Sequence, residues 1–423
     1  MTRKIFSLIL FLISFVFLFP LSVFPQGYDV VDEATAGNFF VVGARALGMG
    51  GAHIAVANDA TALVYNPAGL ARVSRIEFSG GLTHQRMNNK TDFGYSRQNI
   101  GFNDGRLLNN TRFSSANVVL PVPTYRGSLV FALGVNRVKS FDKTMQFSSE
   151  GYSYGYGEKG IESESGGIYL WSFGAAIDVS PNVSVGGALN WWSGKDNYTW
   201  LYERNLKSYT PLWTRYDDTI KDRYSGFNAK LGVRIQPNKY LIFGGTIDSP
   251  VTYTIKEDWT QLTDTEEESY YDDGSSEYKI SLPFSLGAGI ALQVNNLTLA
   301  GDINYTDWTQ MEYKRLENLA EANRQIKDTY TDALRFHLGA EYLIPQIGTS
   351  VRAGFYRNPL PYKSRWIKKD HSCFTAGIGF LIDQVMTLDI AWAHGSWELQ
   401  DFTPDLAEKY TTHQIFVSVS YRL

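Results

Sequence analysis

The sequence predicts an all-β protein: a transmembrane antiparallel β-barrel of about fourteen strands with an N-terminal plug in its lumen. Three observations carry that prediction. Apolar residues recur with a period of two in many short runs, and turn-forming pairs alternate with long polar connections between those runs. Aromatic residues make up 14% of the chain, with 26 Tyr and 10 Trp, the types that anchor a barrel at both membrane interfaces.

Taken in order, the chain opens as an export signal: Arg3 and Lys4 are followed by an apolar run from Ile5 to Phe19 that ends at Pro20. Residues 1–26 are therefore expected to be removed, with cleavage between Ser22 and Gly27. No Cys follows the run, so lipid attachment there is not expected. Residues 27–74 are expected to form the plug and 75–423 the barrel. A barrel of about fourteen strands is too wide for its own side chains to fill, so something must occupy it. The segment before the first strand suits that task because it is rich in Gly and Ala. Gly48, Gly50 and Gly51 suit tight turns at positive φ, and Asn58 or Asp59 is placed to cap a short helix running toward Tyr65. Pro67, followed by Ala68, should stop that helix, since it lacks a donor and drives Asn66 out of the helical region.

The strands follow. Ile415, Val417, Val419, Tyr421 and Leu423 alternate with Gln414, Phe416, Ser418, Ser420 and Arg422, giving one apolar and one mostly polar face. Phe227, Ala229, Leu231, Val233 and Ile235 alternate likewise with residues that include Asn228, Lys230 and Arg234. Short connections fall at Pro181-Asn182, Pro237-Asn238, Asn295-Asn296, Pro345 to Gly348 and Asp383-Gln384, all turn-forming types. Long ones are expected near residues 86–114, 140–166, 197–223, 256–279, 308–333, 357–373 and 394–412. Their strict alternation is that of a barrel with tight periplasmic turns and long outer loops.

The run Gly43-Ala-Arg-Ala-Leu-Gly-Met-Gly-Gly51, then Ala55 to Thr61 and Asn66-Pro-Ala-Gly-Leu-Ala71, resembles the hatch of outer-membrane hydrophobic-compound transporters, the long-chain fatty acid and toluene channels. Leu282 to Gly289, Ala300 to Trp308, Arg335 to Tyr342, and Val351 to Tyr356 followed by Asn358-Pro359 resemble late-barrel motifs of the same family. The resemblance implies passive uptake of fatty acids or other hydrophobic compounds across the bacterial outer membrane, gated by a plug that includes Gly48, Gly50, Gly51, Asp59, Asn66, Pro67 and Ala68. It also implies a lateral exit at a kinked early strand, for which Gly134, or Pro121 and Pro123 in the preceding segment, are the candidates. Arg335 and Arg352, on the lumen-facing alternation, are candidates to guide a substrate carboxylate. The form of the Gly-rich run is close to a related branch of secretion-associated barrels, so a shuttle or anchor for exported proteins is the alternative. The last strand, ending Tyr421-Arg422-Leu423, resembles the signal read by outer-membrane assembly machinery. That machinery and lipopolysaccharide are the expected partners besides the cargo.

Composition sets aside other classes. A formal net charge of -4 gives no basic footprint for nucleic acid. The single Cys373 forms no intrachain disulfide and no paired-Cys metal or redox motif. Neither a Gly-x-Ser-x-Gly elbow, a His-Glu-x-x-His nor a Walker loop is present. Neither catalysis nor a cofactor or metal is expected.

Overall fold

The computed structural model describes residues 39–93, 107–150, 156–207, 211–315, 319–363, 367–400 and 406–423. The expected export signal and residues 27–38 of the expected plug lie outside them. Every β segment belongs to one antiparallel sheet. The sheet closes on itself because β1 (Glu77–Phe93) pairs with β18 (Leu406–Arg422) along its whole length, from Glu77 opposite Arg422 to Phe93 opposite Leu406. Closure leaves no edge.

Four barrel strands are each built from two segments. β3 (Leu129–Ser140) continues as β4 (Lys143–Glu150), β8 (Leu241–Asp248) as β9 (Val251–Thr265), β10 (Ser269–Leu282) as β11 (Ser285–Val294), and β12 (Leu297–Asp307) as β13 (Glu312–Arg315). The pairing shows the continuity: β8 and β9 both pair with β7 (Pro211–Ile235), while β11 and β10 pair in turn with β8 and β9. The remaining strands are β2 (Leu107–Val122), β5 (Tyr156–Ser180), β6 (Val183–Lys207), β14 (Asp332–Ile344), β15 (Thr349–Asn358), β16 (Ile367–Ile382) and β17 (Met386–Gln400). Together they make the expected fourteen-stranded barrel. Pro250 and Pro283 stand at two of the four breaks, where the missing N–H cannot serve the ladder.

Period-two patterning is realised as an outward apolar belt and a lumen of small or polar groups. On β5, Trp171, Phe173 and Ile177 are exposed whereas Ser172 and Ala176 are buried. The short turns fall where the sequence places them; Asn295, Asp383 and Gln384 adopt left-handed φ values of 52°, 50° and 59°. The long outer connections differ from expectation. β6 runs to Lys207 and β7 starts at Pro211, so most of 197–223 is strand. Its outward face no longer meets lipid, and the apolar half of the alternation fades there although the pairing continues. The wall is therefore uneven: β5, β6 and β7 are 25 residues each, β15 only 10.

Candidate functional site: a plug seated in the barrel

Phe39 to Arg75 fold inside the lumen as short pieces joined by tight turns. Helix α1 (Ala44–Gly48) contains Gly48, so that glycine is helical and not the left-handed turn residue the sequence suggested. Gly50 and Gly51 do take positive φ, 63° and 78°. The Asp59 carboxylate accepts from the Thr61 N–H at 2.9 Å, just before helix α2 (Ala62–Tyr65). α2 ends at Asn66, which is extended, and a 3₁₀ turn from Pro67 to Arg72 follows. Ala68 lies in that turn and donates its N–H to Asn66 Oδ1 at 3.2 Å.

Asn66 ties stopper to wall. Its fully buried amide donates to the Ile54 carbonyl at 2.9 Å within the plug and to the Val233 carbonyl of β7 at 3.0 Å. Other wall groups hold plug backbone in the same manner. Asp302 accepts the His53 and Ile54 N–H groups at 2.5 and 2.7 Å, and Glu77 accepts that of Ala60 at 3.0 Å. The His337 Nδ1 lies 2.8 Å from the Gly50 carbonyl, and Thr375 donates to that of Gly48 at 3.2 Å.

An ionic network adds charge to these contacts. The Arg45 guanidinium grips Glu341 with two bonds of 3.0 Å. Arg352 donates to the same Glu341 at 2.6 Å and to Asp389 at 2.6 Å. On its other side Arg45 lies 3.6 Å from Asp59, and His53 lies 3.9 Å from it. Burial works against charge on Arg45, but Glu341, Asp59 and Asp389 outweigh it and push the guanidinium pKa up. Burial would raise the Asp59 carboxyl, yet His53, Arg45 and Thr61 hold it below the usual carboxylate range.

The wall is carved to receive backbone. A Cβ at Gly186 would strike Pro67 and Ala68, at Gly232 the Asn66 amide, at Gly244 the Ile54 carbonyl, and at Gly339 or Gly354 the backbone of Met49 and Gly50. These lumen-facing glycines form a socket, and the sequence reading missed them. Their signal is glycine at inward positions of otherwise well-patterned strands, where close backbone approach is the usual cause. Leu47 completes the seal against Phe416 and Tyr356, and Leu63 and Leu70 against Val119 and Val130.

A model of the family described as outer membrane protein transport protein (OMPP1/FadL/TodX) matches residues 30–404. The chain belongs to this family. Its fold is similar to that of a FadL homologue from Pseudomonas aeruginosa (TM-score 0.63, 14% identity, covering 92% of this chain and 100% of that one). It is likewise similar to the P. putida toluene transporter TodX (0.63, 14%, 92% and 99%) and the Ralstonia pickettii toluene transporter TbuX (0.56, 15%, 90% and 98%). At such identities the likeness is one of fold. No curated protein matches the chain. Family and barrel place it in the outer membrane as a channel, and the secretion-associated alternative is not favoured.

Above the plug, this FadL/TodX-family barrel is lined differently. Phe141, Tyr224, Tyr253, Ile255 and Ile280 are buried there. Tyr253 meets Trp192 and Tyr224 edge-on, with centroids 5.8 and 6.2 Å apart, and Phe141 meets Tyr224 at 5.4 Å. The Tyr253 hydroxyl is buried without a hydrogen-bond partner among the described residues. At the outer rim a cavity of about 990 Å³ opens between Leu360, Tyr362, Arg357, Lys369 and Asp370. Helix α3 (Leu319–Thr329) lies near it, with its Lys327 carbonyl bonded to Lys363 at 2.8 Å.

The wall is also incomplete between β2 and β3. Their pairing runs only from Ser115 opposite Asn136 to Val122 opposite Leu129. Beyond it, Leu107 to Phe113 pair with β1. Gly134 sits within unbroken pairing to Asn117 and Ser172; the register shift falls between Arg137 and Lys139, and the chain breaks at Phe141-Asp142 before β4 resumes. Gly134 instead makes room for the Asn117 side chain and Leu63 of the plug. Asp142 clasps Arg112 of β2 at 2.6 Å and Arg137 of β3 at 2.8 Å, latching the unpaired stretch. Of the two candidate guiding cations, Arg352 is spent in the plug network, and the Arg335 guanidinium lies over the Phe39 ring at 5.2 Å.

Proposed function

We propose that the barrel admits small hydrophobic compounds passively, monoaromatic hydrocarbons foremost, by way of the aromatic cluster above the plug. The observation that carries this reading is that cluster: Trp192, Tyr224 and Tyr253 meet edge to face over a seated plug. Aromatic faces and edges attract aromatic cargo beyond simple area burial, and each buried CH₂ adds roughly 0.8 kcal/mol. The toluene transporters among the similar folds fit the same chemistry. In this reading Gly50, Gly51, Asp59, Asn66, Pro67 and Ala68 hold the gate shut, and Arg352 docks it. Gly48 lets α1 lie against the wall. Arg335 is the lumen cation left to meet a polar head of cargo. Exit is sideways through the β2–β3 gap, with Asp142 as its latch. No covalent step or cofactor enters.

The test is uptake of labelled toluene and oleate by cells lacking the gene, carrying either the intact protein or Trp192→Ala/Tyr253→Ala. Intact protein is expected to restore toluene entry and the variant to lose most of it. Equal entry of both compounds with and without the protein would sink the proposal.

A further inference from the structure

The outer face of the tall wall carries a charge pattern that transport does not use. Trp171, Trp191 and Phe227 stand in register across β5, β6 and β7, exposed by 49%, 55% and 60%, and mark the upper aromatic edge of the lipid-facing belt. Four residues farther out, Lys195 lies opposite Arg223, and Arg223 opposite Lys256. Like charges directly opposite destabilise a sheet, and here three stand in one row.

The acids adjacent in sequence face away from the row, and acids on the outer face relieve it only in part. Asp196, Asp222 and Glu257 adjoin the three cations in sequence, so alternation sends them to the other face, and Asp196 and Asp222 are buried in the lumen. Asp196 lies opposite Asp222, and Asp222 opposite Glu257. At these three positions the cation faces outward and the carboxylate next to it in sequence faces inward. On the outer face Asp258 meets Arg223 at 2.8 Å, and Glu277 lies 3.8 Å from Lys256. Lys195 and Lys221, both exposed, make no ion pair among the described residues. A positive excess therefore stands on a chain whose net charge is -4.

We propose that Lys195, Arg223 and Lys256 bind the phosphates of the outer leaflet's glycolipid. The aromatic row below would pack its acyl chains while long cationic side chains reach its headgroup, an arrangement amphipathic Lys and Arg favour at interfaces. Continuity with the lipid-facing belt selects a lipid over a free anion, and phosphate supplies the charge the outer face lacks. The cost of three facing cations is offset once they share an anionic ligand.

Purified protein in neutral detergent is titrated with lipid A and with the same lipid after phosphatase treatment, with binding read by native mass spectrometry. The dephosphorylated lipid is expected to bind about a hundredfold more weakly, the effect of three cations beside an anionic surface. Lys195→Gln/Arg223→Gln/Lys256→Gln is expected to show the same loss for lipid A while keeping the heat-modifiable gel mobility of a folded barrel. Equal binding of the two lipids by the wild-type protein overturns the proposal, whatever the variant does, as does undiminished lipid A binding by the folded variant. Inorganic phosphate displacing lipid A at equal concentration would assign the row to a free anion and equally overturn it.

Discussion

Around the plug the wall meets backbone, whereas above the plug side chains meet side chains. The lower layer uses glycines as a socket, carboxylates and an amide aimed at plug N–H and C=O groups, and an Arg45–Glu341–Arg352–Asp389 network. The upper layer uses aromatic rings, a hydroxyl without a hydrogen-bond partner among the described residues, and interrupted strands. Backbone recognition makes a fixed seat, since shifting it misaligns every bond at once. Ring packing tolerates change, so cargo choice can drift in one layer without loosening the stopper in the other.

The contrast can be broken from below. Glu341→Ala leaves both Arg45 and Arg352 without their shared carboxylate, and removing one side of a buried pair costs about 3 kcal/mol. Plug docking is expected to weaken accordingly, seen as faster hydrogen exchange of plug amides and raised single-channel conductance with the barrel still folded. Asn66→Ala removes two donated bonds, one to the plug and one to β7, at about 2 kcal/mol, with the same readouts in milder form. Tyr253→Phe sharpens the comparison from above. It is expected to change entry of phenolic against plain aromatic compounds by a few-fold, about 1 kcal/mol or less, and to leave plug exchange untouched.

Acid has the smallest effect. Asp59 is held below the usual carboxylate range in the folded plug, so its contribution is present above the unfolded value of about 4 and is lost as pH falls through the folded value. Plug docking is therefore expected to be flat from about pH 8 to about pH 5 and to weaken only below about pH 4. Conductance across that series checks it, and Asp59→Asn is expected to reduce the acid response.

The strand number was legible because period two and turn chemistry are local signals. The helix stop at Asn66-Pro67 followed from backbone rules applied to two residues. The socket was not legible, because Gly186, Gly232 and Gly339 owe their role to chain far away in sequence. Nor was the wall gap: Gly134 looked like a breaker, but its missing side chain serves close packing, and the break belongs to Phe141-Asp142, where Asp142 turns inward to two arginines. The outer wall escaped notice because strands leaving the bilayer lose the apolar half of their pattern.

The β1–β18 seam also imposes an order in time. Glu77 and Arg422 bond across it at 2.7 Å, 345 residues apart, so the ring cannot shut until nearly the last residue has been delivered. The plug precedes β1, and much of its seat comes from β14, β15 and β16. Stopper and late strands must therefore find one another before or while the seam zips, because afterwards a folded plug has no open side through which to enter. Closing the barrel and loading its gate are one event, and a chain that stalls short of β18 has neither.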